Sequence, residues 1–362
     1  MFTNSRKLKR YLAFLVSLCL LYVFGAFHHL LERDFYDDFH YPYDGEIESF
    51  VESLKAHSIP DVAPINMYYF EYSKTCHEKC ARVKEIRLVY LIKSSPENFD
   101  RRNAIRSSWG YERRFSDVEI RTVFLVGNRD SKSLQDSLNE EYSKYKDIVH
   151  ANFTDTYYNN TYKTMMGLQW ATKFCSNSKF YMFVDDDYYV STKNVLRFVR
   201  YPTNYPKYLK DPFGTMNELL KIGRRPQELT FELENDVRLY TGCLVDSSPL
   251  RHLTSKWYVS LKEYPYHKWP VYITAGAYVL SRAALIDMYY TSFYTEHFRF
   301  DDIYLGLLAY KAKIEPLHCE EFYFYRKDYD KFRFKYVVAS HGYGDPRELL
   351  HIWTEQKSLG NV

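Results

Sequence analysis

Residues 179–191, KFYMFVDDDYYVS, decide the fold class, because an apolar run there ends in three consecutive carboxylates. The first six residues are mostly apolar and aromatic, which predicts a strand buried in a sheet. Two similar runs lie upstream, Ile86–Lys93 (IRLVYLIK) and Ile120–Val126 (IRTVFLV). Segments with helical spacing, residues 131–145 and 161–174, lie between the second and third of these runs. This order of strands and helices predicts an α/β fold with a largely parallel sheet.

The composition is that of a folded protein without a general affinity for nucleic acids. Hydrophobic residues make up 46% of the 362 positions and charged residues 26%, which rules out wholesale disorder. Four of the 49 basic residues lie in the first ten positions, so 45 basic residues face 46 acidic residues in the remainder. This balance gives no bulk positive field, and we expect no nucleic-acid partner. The motifs of serine hydrolases, zinc proteases and P-loop NTPases are absent from the sequence.

An apolar segment near the N-terminus predicts a membrane anchor. Residues 11–31 carry no formal charge and are about long enough, as a helix, to cross a bilayer. Basic residues precede this segment and acidic residues follow it, so the positive-inside rule places residues 1–10 in the cytoplasm and the rest in the lumen. We expect a stem at 32–82 and a compact domain at 83–362. A cleaved signal peptide is the alternative to an anchor.

The cysteines and two sequons agree with a lumenal chain. An odd number of cysteines outside the apolar segment leaves at least one thiol free or intermolecular, and the pairing cannot be deduced. Cys76 and Cys80 give only a weak indication of zinc, because no second pair accompanies them, and a structural disulfide or plain thiols are the alternatives. Asn152-Phe-Thr and Asn159-Asn-Thr are candidate N-glycosylation sites.

Asp185, Asp186 and Asp187 are the first candidate site. Three adjacent carboxylates at the end of a buried strand repel one another, and a hard divalent cation relieves that repulsion. Oxygen ligands suit Mg²⁺ or Mn²⁺, whose sites often stay open to substrate phosphates. Open α/β sheets also bind their ligands at the carboxyl ends of strands. The alternative is a solvated acidic turn.

A second acidic pair, Asp301-Asp302, lies in the segment FRFDDIYLG at 298–306. It can cap the N-terminus of a helix, or one carboxylate can act as a general base toward a hydroxyl group. His341, in the turn VVASHGYGD, is a candidate third metal ligand, and a structural or exposed histidine is the alternative.

Arg102 and Arg106 lie on one face of a predicted helix that Asp100 caps and that runs through Trp109. Two guanidinium groups there can meet a diphosphate or a carboxylate, whereas the alternative is a solvated basic face.

The segment YITAGAYVLS at 272–281 is a third candidate. Gly276 permits a close approach of the backbone, and Tyr272 and Tyr278 can line a cleft. The alternative is an ordinary strand with a bulge at Gly276.

Five motifs, taken in order, resemble those of the β-1,3-glycosyltransferases of galactosyltransferase family 31. They are R-x-A-I-R-x-S-W at 102–109, DIVHANFTDTYYNNTYKT at 147–164, D-D-D at 185–187, WPVY…GAYVLS at 269–281 and DDIYLG at 301–306. The chain departs from the family pattern at Ser108, Asn152, Asn160, Ala277 and Asp301. The short stem and the stretch PDVAPIN at 60–66 resemble the brainiac-like members of the family.

The resemblance implies a GT-A fold with a Rossmann-like nucleotide half. It also implies that the protein is a type II protein of the Golgi membrane. It implies an inverting transfer of galactose or N-acetylglucosamine from a UDP-sugar to the 3-hydroxyl of a glycolipid or glycoprotein glycan. It assigns Mn²⁺, or Mg²⁺, chiefly to Asp187, with Asp185 supporting the ion and His341 close to it. Asp185 and Asp186 would orient the ribose.

The remaining roles also follow from the resemblance. Asp302 would be the catalytic base, while Arg102, Arg106 and Trp109 would shape the nucleotide end of the site. The residues assigned to the acceptor side are Tyr272, Gly276, Tyr278 and Asp301. Two alternatives stay open at this point: a catalytically silent, membrane-anchored glycan-binding protein on the same fold, and a scaffold that works through its tyrosine-rich surface. The sequence leaves open the donor sugar, the acceptor and any oligomer with itself or with other Golgi transferases.

Overall fold

The computed structural model describes residues 2–40, 46–221 and 233–362. Contacts divide the chain into two units, one made of Met1–Gly45 with Asp246–Val271 and the other of Glu46–Val245 with Tyr272–Val362. Residues 46–82 of the expected stem therefore belong to the larger unit. The expected start of the catalytic domain at residue 83 stays a prediction.

The smaller unit contains helices α1 (Phe2–Val23) and α2 (Phe35–Asp38). Helix α1 ends inside the segment expected to form the anchor, and Gly25 follows it with a left-handed φ of +82°. A Cβ atom at Gly25 would lie 2.6 Å from the Cβ of Arg251, so this turn has no room for a side chain. The expected anchor at 11–31 is thus not one continuous helix. In the part of the chain that the structure describes, no helix combines the length and the apolar character needed to cross a membrane.

The larger unit carries the remaining helices and all the strands that the described ranges contain. Its helices are α3 (Glu48–Lys55), α4 (Glu78–Ala81), α5 (Phe99–Ser107), α6 (Lys132–Tyr145), α7 (Asn160–Phe174), α8 (Thr192–Arg200), α9 (Lys207–Lys210), α10 (Pro212–Lys221), α11 (Arg282–Thr291), α12 (Asp301–Lys311) and α13 (Pro346–Ser358). Its strands are β1 (Tyr72–Lys74), β2 (Ile86–Lys93), β3 (Ile120–Asn128), β4 (Ile148–Thr154), β5 (Ser178–Asp185), β6 (Tyr189–Val190), β7 (Tyr240–Val245), β8 (Tyr272–Ser281), β9 (Leu317–His318), β10 (Phe322–Tyr323) and β11 (Ala339–Ser340).

The main sheet has eight strands in the order β1-β4-β3-β2-β5-β8-β7-β9. Strands β4, β3, β2 and β5 run parallel, and β8 pairs antiparallel with β5. This architecture confirms the predicted α/β class with a largely parallel sheet. Strand β2 has the predicted bounds, because an uninterrupted apolar run is what a strand covered on both faces requires.

The helices agree with the sequence except around Asp100. Ser131 caps α6 by accepting a hydrogen bond from the Leu134 amide at 3.3 Å. Helix α5 begins at Phe99 and ends at Ser107, so Asp100 lies in its first turn rather than at the cap and Trp109 lies beyond its end. Helix α13 begins at Pro346, with Asp345 as its cap, and continues to Ser358.

Helices cover both faces of the main sheet. Helices α7, α11 and α12 pack together over strands β2, β3, β5 and β8. Helices α5 and α13 pack against each other beside the core of the other face, which contains Leu88, Tyr90 and Ile92 of β2. A small second sheet, ordered β10-β11-β6, follows directly on the three-aspartate turn.

Candidate active site

The three-aspartate turn lies at the carboxyl edge of the main sheet. Strands β2 and β5 are parallel neighbours, and their last residues, Lys93 and Asp185, are paired across them. Because the carboxyl ends of parallel strands meet at one edge, the turn faces the loop that follows β2. This places the acidic triplet where open α/β sheets bind ligands, as the sequence predicted.

Lys93 joins the two acidic motifs. Its Nζ lies 3.0 Å from Oδ1 of Asp185 and 3.0 Å from Oδ2 of Asp301, and it donates to the carbonyl of Ala275 at 2.9 Å. The Lys93 side chain is only 2% exposed. Burial alone would lower the pKa of Lys93, but the two carboxylates outweigh it and raise that pKa, so the buried ammonium stays charged. Asp301 accepts a further hydrogen bond from the Thr164 hydroxyl at 3.0 Å.

Asp302 has the electrostatics of a proton acceptor. Burial, with repulsion from Asp301 as the next cause, raises the pKa of Asp302 to about 7. Phe300 holds the cap position of α12 and Asp301 points to Lys93, so the pair does not simply cap the helix. One oxygen of Asp302 accepts a hydrogen bond from the Ile303 amide at 2.8 Å, which fixes its orientation.

Asp187 and His341 meet at the edge of the small sheet. The Nε2 atom of His341 lies 3.2 Å from Oδ2 of Asp187, and this contact raises the pKa of the imidazole. Burial alone would raise the pKa of Asp187, but His341 and then Arg101 lower it. The other oxygen of Asp187, Oδ1, is buried and has no hydrogen-bond donor.

This donor set fits a hard divalent cation that shares its coordination with a substrate. An orphaned carboxylate oxygen beside an imidazole offers two protein ligands and leaves the other positions to phosphate oxygens and water. Within the described ranges there is no preformed cluster of three or more His, Cys, Asp or Glu side chains able to hold a metal by themselves. The predicted metal site of Asp187, Asp185 and His341 stays a proposal, and Asp185 already pairs with Lys93 at 3.0 Å.

Asp186 is already fully bonded within the protein. Its Oδ2 accepts hydrogen bonds from the Ser94 hydroxyl at 2.7 Å and the Asn98 amide at 2.9 Å, and Arg101 donates to Oδ1 at 2.9 Å. The residue is 5% exposed. Asp186 thus fixes the loop between β2 and α5, and the predicted contact with a ribose stays untested.

The arginines predicted at the nucleotide end face the interior instead. Every N–H of Arg102 is used, by Glu141 and by the loop at 94–96, with contacts of 2.6–3.2 Å. Arg106 forms a two-pronged pair with Asp147 at 2.8 and 2.9 Å. Neither guanidinium has the free face that a diphosphate needs, because the acids of α6 and of the turn before β4 neutralise them.

Trp109 and Tyr278 are also core residues. Trp109 is 1% exposed, and its ring lies 5.3 Å from that of Tyr90. Tyr278 is fully buried and stacks on Phe183 at 5.0 Å, so it cannot line an open cleft as predicted. The prediction for Tyr278 put its ring in a cleft because the sequence does not show which face of the sheet a strand residue takes, whereas Trp109 lies beyond the end of α5.

Gly276 has a specific packing role. A Cβ atom there would lie 2.1 Å from the Tyr188 hydroxyl, so only glycine lets that ring pass. The Tyr188 ring in turn lies 5.2 Å from the imidazole of His341. The β7–β8 pairing is irregular at this point, because Gly242 pairs with Tyr278 and Leu244 with Ile273. The extra residues therefore lie in β8, and Gly276 is one of them, as the alternative of a strand with a bulge predicted. Tyr272 is half-buried at the start of β8.

The covalent features lie away from this edge. Cys80 forms a disulfide with Cys175, which removes the interpretation of Cys76 and Cys80 as zinc ligands. The Cys76 thiol is buried and donates to the carbonyl of Ile148 at 2.8 Å. Asn152 is exposed and Asn159 half-buried, and glycosylation of either stays a prediction.

Lys93 is the residue that the sequence analysis missed. It stands at the end of the run IRLVYLIK, and a lysine that closes a buried strand is the available signal. Its partner acids come from distant parts of the chain, so the sequence alone could not show what neutralises it.

Comparison with known proteins identifies the relatives of this chain. The family model described as Galactosyltransferase matches residues 100–213 and 210–320. The chain is 40% identical over 356 residues to the beta-1,3-galactosyltransferase brn of Drosophila melanogaster, covering 98% of each protein. It is 30% identical over 295 residues to the human beta-1,3-galactosyltransferase 1, covering 82% of this chain and 81% of that protein.

Among solved structures, the galactosyltransferase LgtC in complex with donor and acceptor sugar analogs aligns with 76% of this chain and 100% of its own, at 8% identity and a TM-score of 0.35. A score this low carries no argument here. The sequence relatives suffice, since they cover nearly the whole chain. Acidic motifs joined at one sheet edge, the matching family model and these relatives lead to one conclusion: the chain belongs to the galactosyltransferase family and is a glycosyltransferase.

Proposed function

We propose that this chain is an inverting β-1,3-glycosyltransferase that moves galactose or N-acetylglucosamine from a UDP-sugar to the 3-hydroxyl of an acceptor glycan. One observation carries the proposal: Lys93 binds Asp185 of the three-aspartate turn and Asp301 beside Asp302 at the same time. The region suited to a diphosphate and the carboxyl suited to a base are therefore parts of one site.

Asp302 is the proposed base. A carboxyl with a pKa near neutrality is ionised in a useful fraction of molecules at pH 7 and still binds a proton well. It would accept the proton of the acceptor 3-hydroxyl as that oxygen attacks the anomeric carbon from the face opposite UDP. The α-linked donor thereby becomes a β-linked product. No second carboxylic acid is required to protonate a leaving oxygen, in contrast to glycosidases.

Asp187 and His341 are the proposed ligands for Mn²⁺ or Mg²⁺. When bound, such an ion offsets the negative charge of the UDP diphosphate. The buried, donor-free Oδ1 of Asp187 supports this assignment, because an uncompensated buried carboxylate oxygen is costly without a cation. Lys93 and Thr164 hold Asp301 beside the base, which keeps Asp302 in a fixed environment.

The relatives agree with the reaction class but differ in the sugar. Two of them are named as galactosyltransferases, and a pig relative, 29% identical over 298 residues, is named as an N-acetylgalactosaminyltransferase. We propose UDP-galactose or UDP-N-acetylglucosamine as donor and a glycolipid or glycoprotein glycan as acceptor.

We further propose that the enzyme is a type II protein of the Golgi membrane with its catalytic unit in the lumen. The apolar side chains of α1 support this, since Leu12, Leu15 and Leu20 are each more than half exposed at 62%, 61% and 51%. Protease protection of intact Golgi vesicles tests the orientation: residues beyond 32 should resist digestion until detergent is added. Digestion in intact vesicles would contradict it.

A coupled assay for UDP release tests the reaction itself. The full-length chain, purified in detergent, is incubated with MnCl₂, each UDP-sugar and the methyl β-glycosides of glucose, galactose, mannose and N-acetylglucosamine. We expect UDP to appear only when one donor and one acceptor are both present, and to disappear with EDTA. Glycan binding without any UDP release would favour the silent glycan-binding alternative.

A further inference from the structure

Of the two tyrosines that were expected to meet the acceptor, Tyr278 is buried against Phe183 and cannot reach it, whereas Tyr272 is half-buried. Two other rings near the metal ligands are exposed. Phe324 is 42% exposed and Tyr325 is 80% exposed, and their rings lie 4.9 Å apart and nearly perpendicular at 65°. We refer to Phe324 and Tyr325 together as the aromatic corner.

The small sheet places this corner beside the proposed metal ligands. Strands β10 and β11 are parallel, and their carboxyl ends lead directly into Phe324 and His341. Strand β6 runs antiparallel to β11, so the residues before it, Asp187 and Tyr188, lie at the same edge. Three strand ends thus bring a carboxylate, an imidazole and an exposed aromatic ring together.

Ring contacts confirm that this edge is continuous. The Phe324 ring is nearly parallel to the His341 imidazole at 19°, with centroids 6.5 Å apart. Tyr188 contacts the imidazole at 5.2 Å. Tyr325, at 80%, is more exposed than the side chains of Asp187 at 30% and His341 at 44%, whereas Phe324, at 42%, is about as exposed as His341. The corner is therefore the solvent-facing end of the site.

The backbone that carries the corner is fixed. Arg326, the next residue, donates to the carbonyl of Gly342 at 3.0 Å and pairs with Glu348 of α13 at 2.5 Å. Gly342 has a φ of +87°, and the Arg326 side chain fills the space where its Cβ would lie. These contacts anchor the chain directly after the aromatic corner.

We propose that Phe324 and Tyr325 form the platform on which a hexose ring of the acceptor stacks, so that they help to select the acceptor. The inference rests on the proposed glycosyl transfer. The apolar C–H face of a hexose suits an aromatic ring, and ligand sites commonly combine such rings with a few oriented polar groups. We assign the platform to the acceptor because the diphosphate of the donor is proposed to bind at Asp187 and His341, which leaves the outer rings to the second substrate.

Steady-state kinetics with the full-length enzyme test the platform. Phe324→Ala and Tyr325→Ala should each raise the KM for the acceptor methyl glycoside by about tenfold, with little change in the KM for the UDP-sugar. Tyr325→Phe, which keeps the ring, should restore most of the affinity. Phe332→Ala is the matched control, since Phe332 is also strongly exposed, at 77%, and is not among the rings found against His341.

The alternative outcomes separate the two proposals. If wild-type enzyme releases no UDP with any donor and acceptor, the proposed function itself fails. If wild-type enzyme is active and both alanine variants keep its acceptor KM, the platform is wrong. A rise confined to the KM for the UDP-sugar would also overturn it, because the corner would then serve the donor. Melting temperatures within about 2 °C of wild type show that the variants are folded.

Discussion

Asp185 and Asp301 share one buried ammonium group, that of Lys93, at 3.0 Å from each carboxylate. The first acid ends a strand of the main sheet and the second begins helix α12, so the contact connects elements far apart in the chain. Asp302, the next residue of α12, is thereby held beside the three-aspartate turn. The site depends on this connection more than on any single motif.

Lys93→Met should abolish activity and destabilise the fold. The substitution removes the counter-charge of the buried Asp301 and of the partly exposed Asp185, and the loss at Asp301 alone costs about 3–5 kcal/mol of unfolding free energy. We expect a loss of kcat of at least about 100-fold, because Asp301 and Asp302 lose their fixed position. Denaturant unfolding and UDP release measure the two effects.

Lys55→Met is the control for that change. Lys55 also contacts two carboxylates, Glu52 at 2.7 Å and Asp287 at 2.9 Å, but its side chain is 32% exposed. Its loss should cost about 1 kcal/mol or less and leave activity unchanged. Equal effects of the two substitutions would contradict a special role for Lys93.

The pH dependence of kcat/KM should report the ionisation of Asp302 together with that of Asp185, because burial raises the pKa of both carboxyls to about 7. At Asp302 the charge of Asp301 is the next cause of the raised pKa. The base works only when it is deprotonated, so the rate should rise with pH and reach half of its plateau near pH 7. A profile that is flat between pH 5.5 and 8.5 would rule out Asp302 as the base, provided that donor binding is constant over this range.

Asp302→Asn should be at least as stable as wild type at pH 8. Between the ordinary pKa of an aspartate, about 4, and its raised value, the folded state binds more protons than the unfolded state. This carboxyl therefore lowers stability as pH rises through that window, and an amide removes the penalty. We expect a gain of about 1–2 kcal/mol at pH 8 and none at pH 4.

Asp287→Asn serves as the comparison in those unfolding experiments. Asp287 lies 2.9 Å from Lys55 and 3.6 Å from Arg238, so its charge is compensated and its removal should not stabilise the protein. If Asp302→Asn instead loses stability at pH 8, the Asp302 carboxylate is also balanced by a positive charge in the folded protein. That result would contradict the raised pKa of Asp302.

Gly276→Ala should weaken metal-dependent activity through Tyr188. The added methyl group would lie 2.1 Å from the Tyr188 hydroxyl, and a displaced Tyr188 ring moves against His341. We expect a higher Mn²⁺ concentration for half-maximal activity and a loss of about 1–3 kcal/mol in stability. The double variant Gly276→Ala with Tyr188→Phe lacks the clashing hydroxyl, so it should recover part of the Mn²⁺ affinity and part of the stability. No change in Mn²⁺ dependence would separate Tyr188 from the metal site.

The sequence was informative where a signal is local. Continuous apolar runs gave the bounds of β2, and they gave those of β3 and β5 within two residues at either end. A strand covered on both faces is apolar along its whole length, so its ends can be read from the sequence. The acidic triplet was placed correctly at a strand end, because the apolar run before it stops at the first aspartate. The family and its glycosyltransferase chemistry followed from motifs in order.

The predictions that failed concerned residues whose partners lie far away in the sequence. Arg102 and Arg106 were predicted to bind a nucleotide, but Glu141 and Asp147, on other elements, neutralise them. The contact of Tyr188 with Gly276 and the bridge made by Lys93 both join distant segments that no local pattern connects. The helix expected at 11–31 ends at Val23, and Gly25 follows it in a left-handed turn that lies close to Arg251, a contact far along the chain.

The most direct test of the account compares binding and transfer in Asp302→Asn. Titration calorimetry with UDP and Mn²⁺ should give a dissociation constant close to that of wild type, while transfer to the acceptor falls by about 100- to 10,000-fold. That result would show that Asp302 is needed for transfer but not for binding of UDP. Transfer near the wild-type rate would contradict the central claim that Asp302 takes the acceptor's proton.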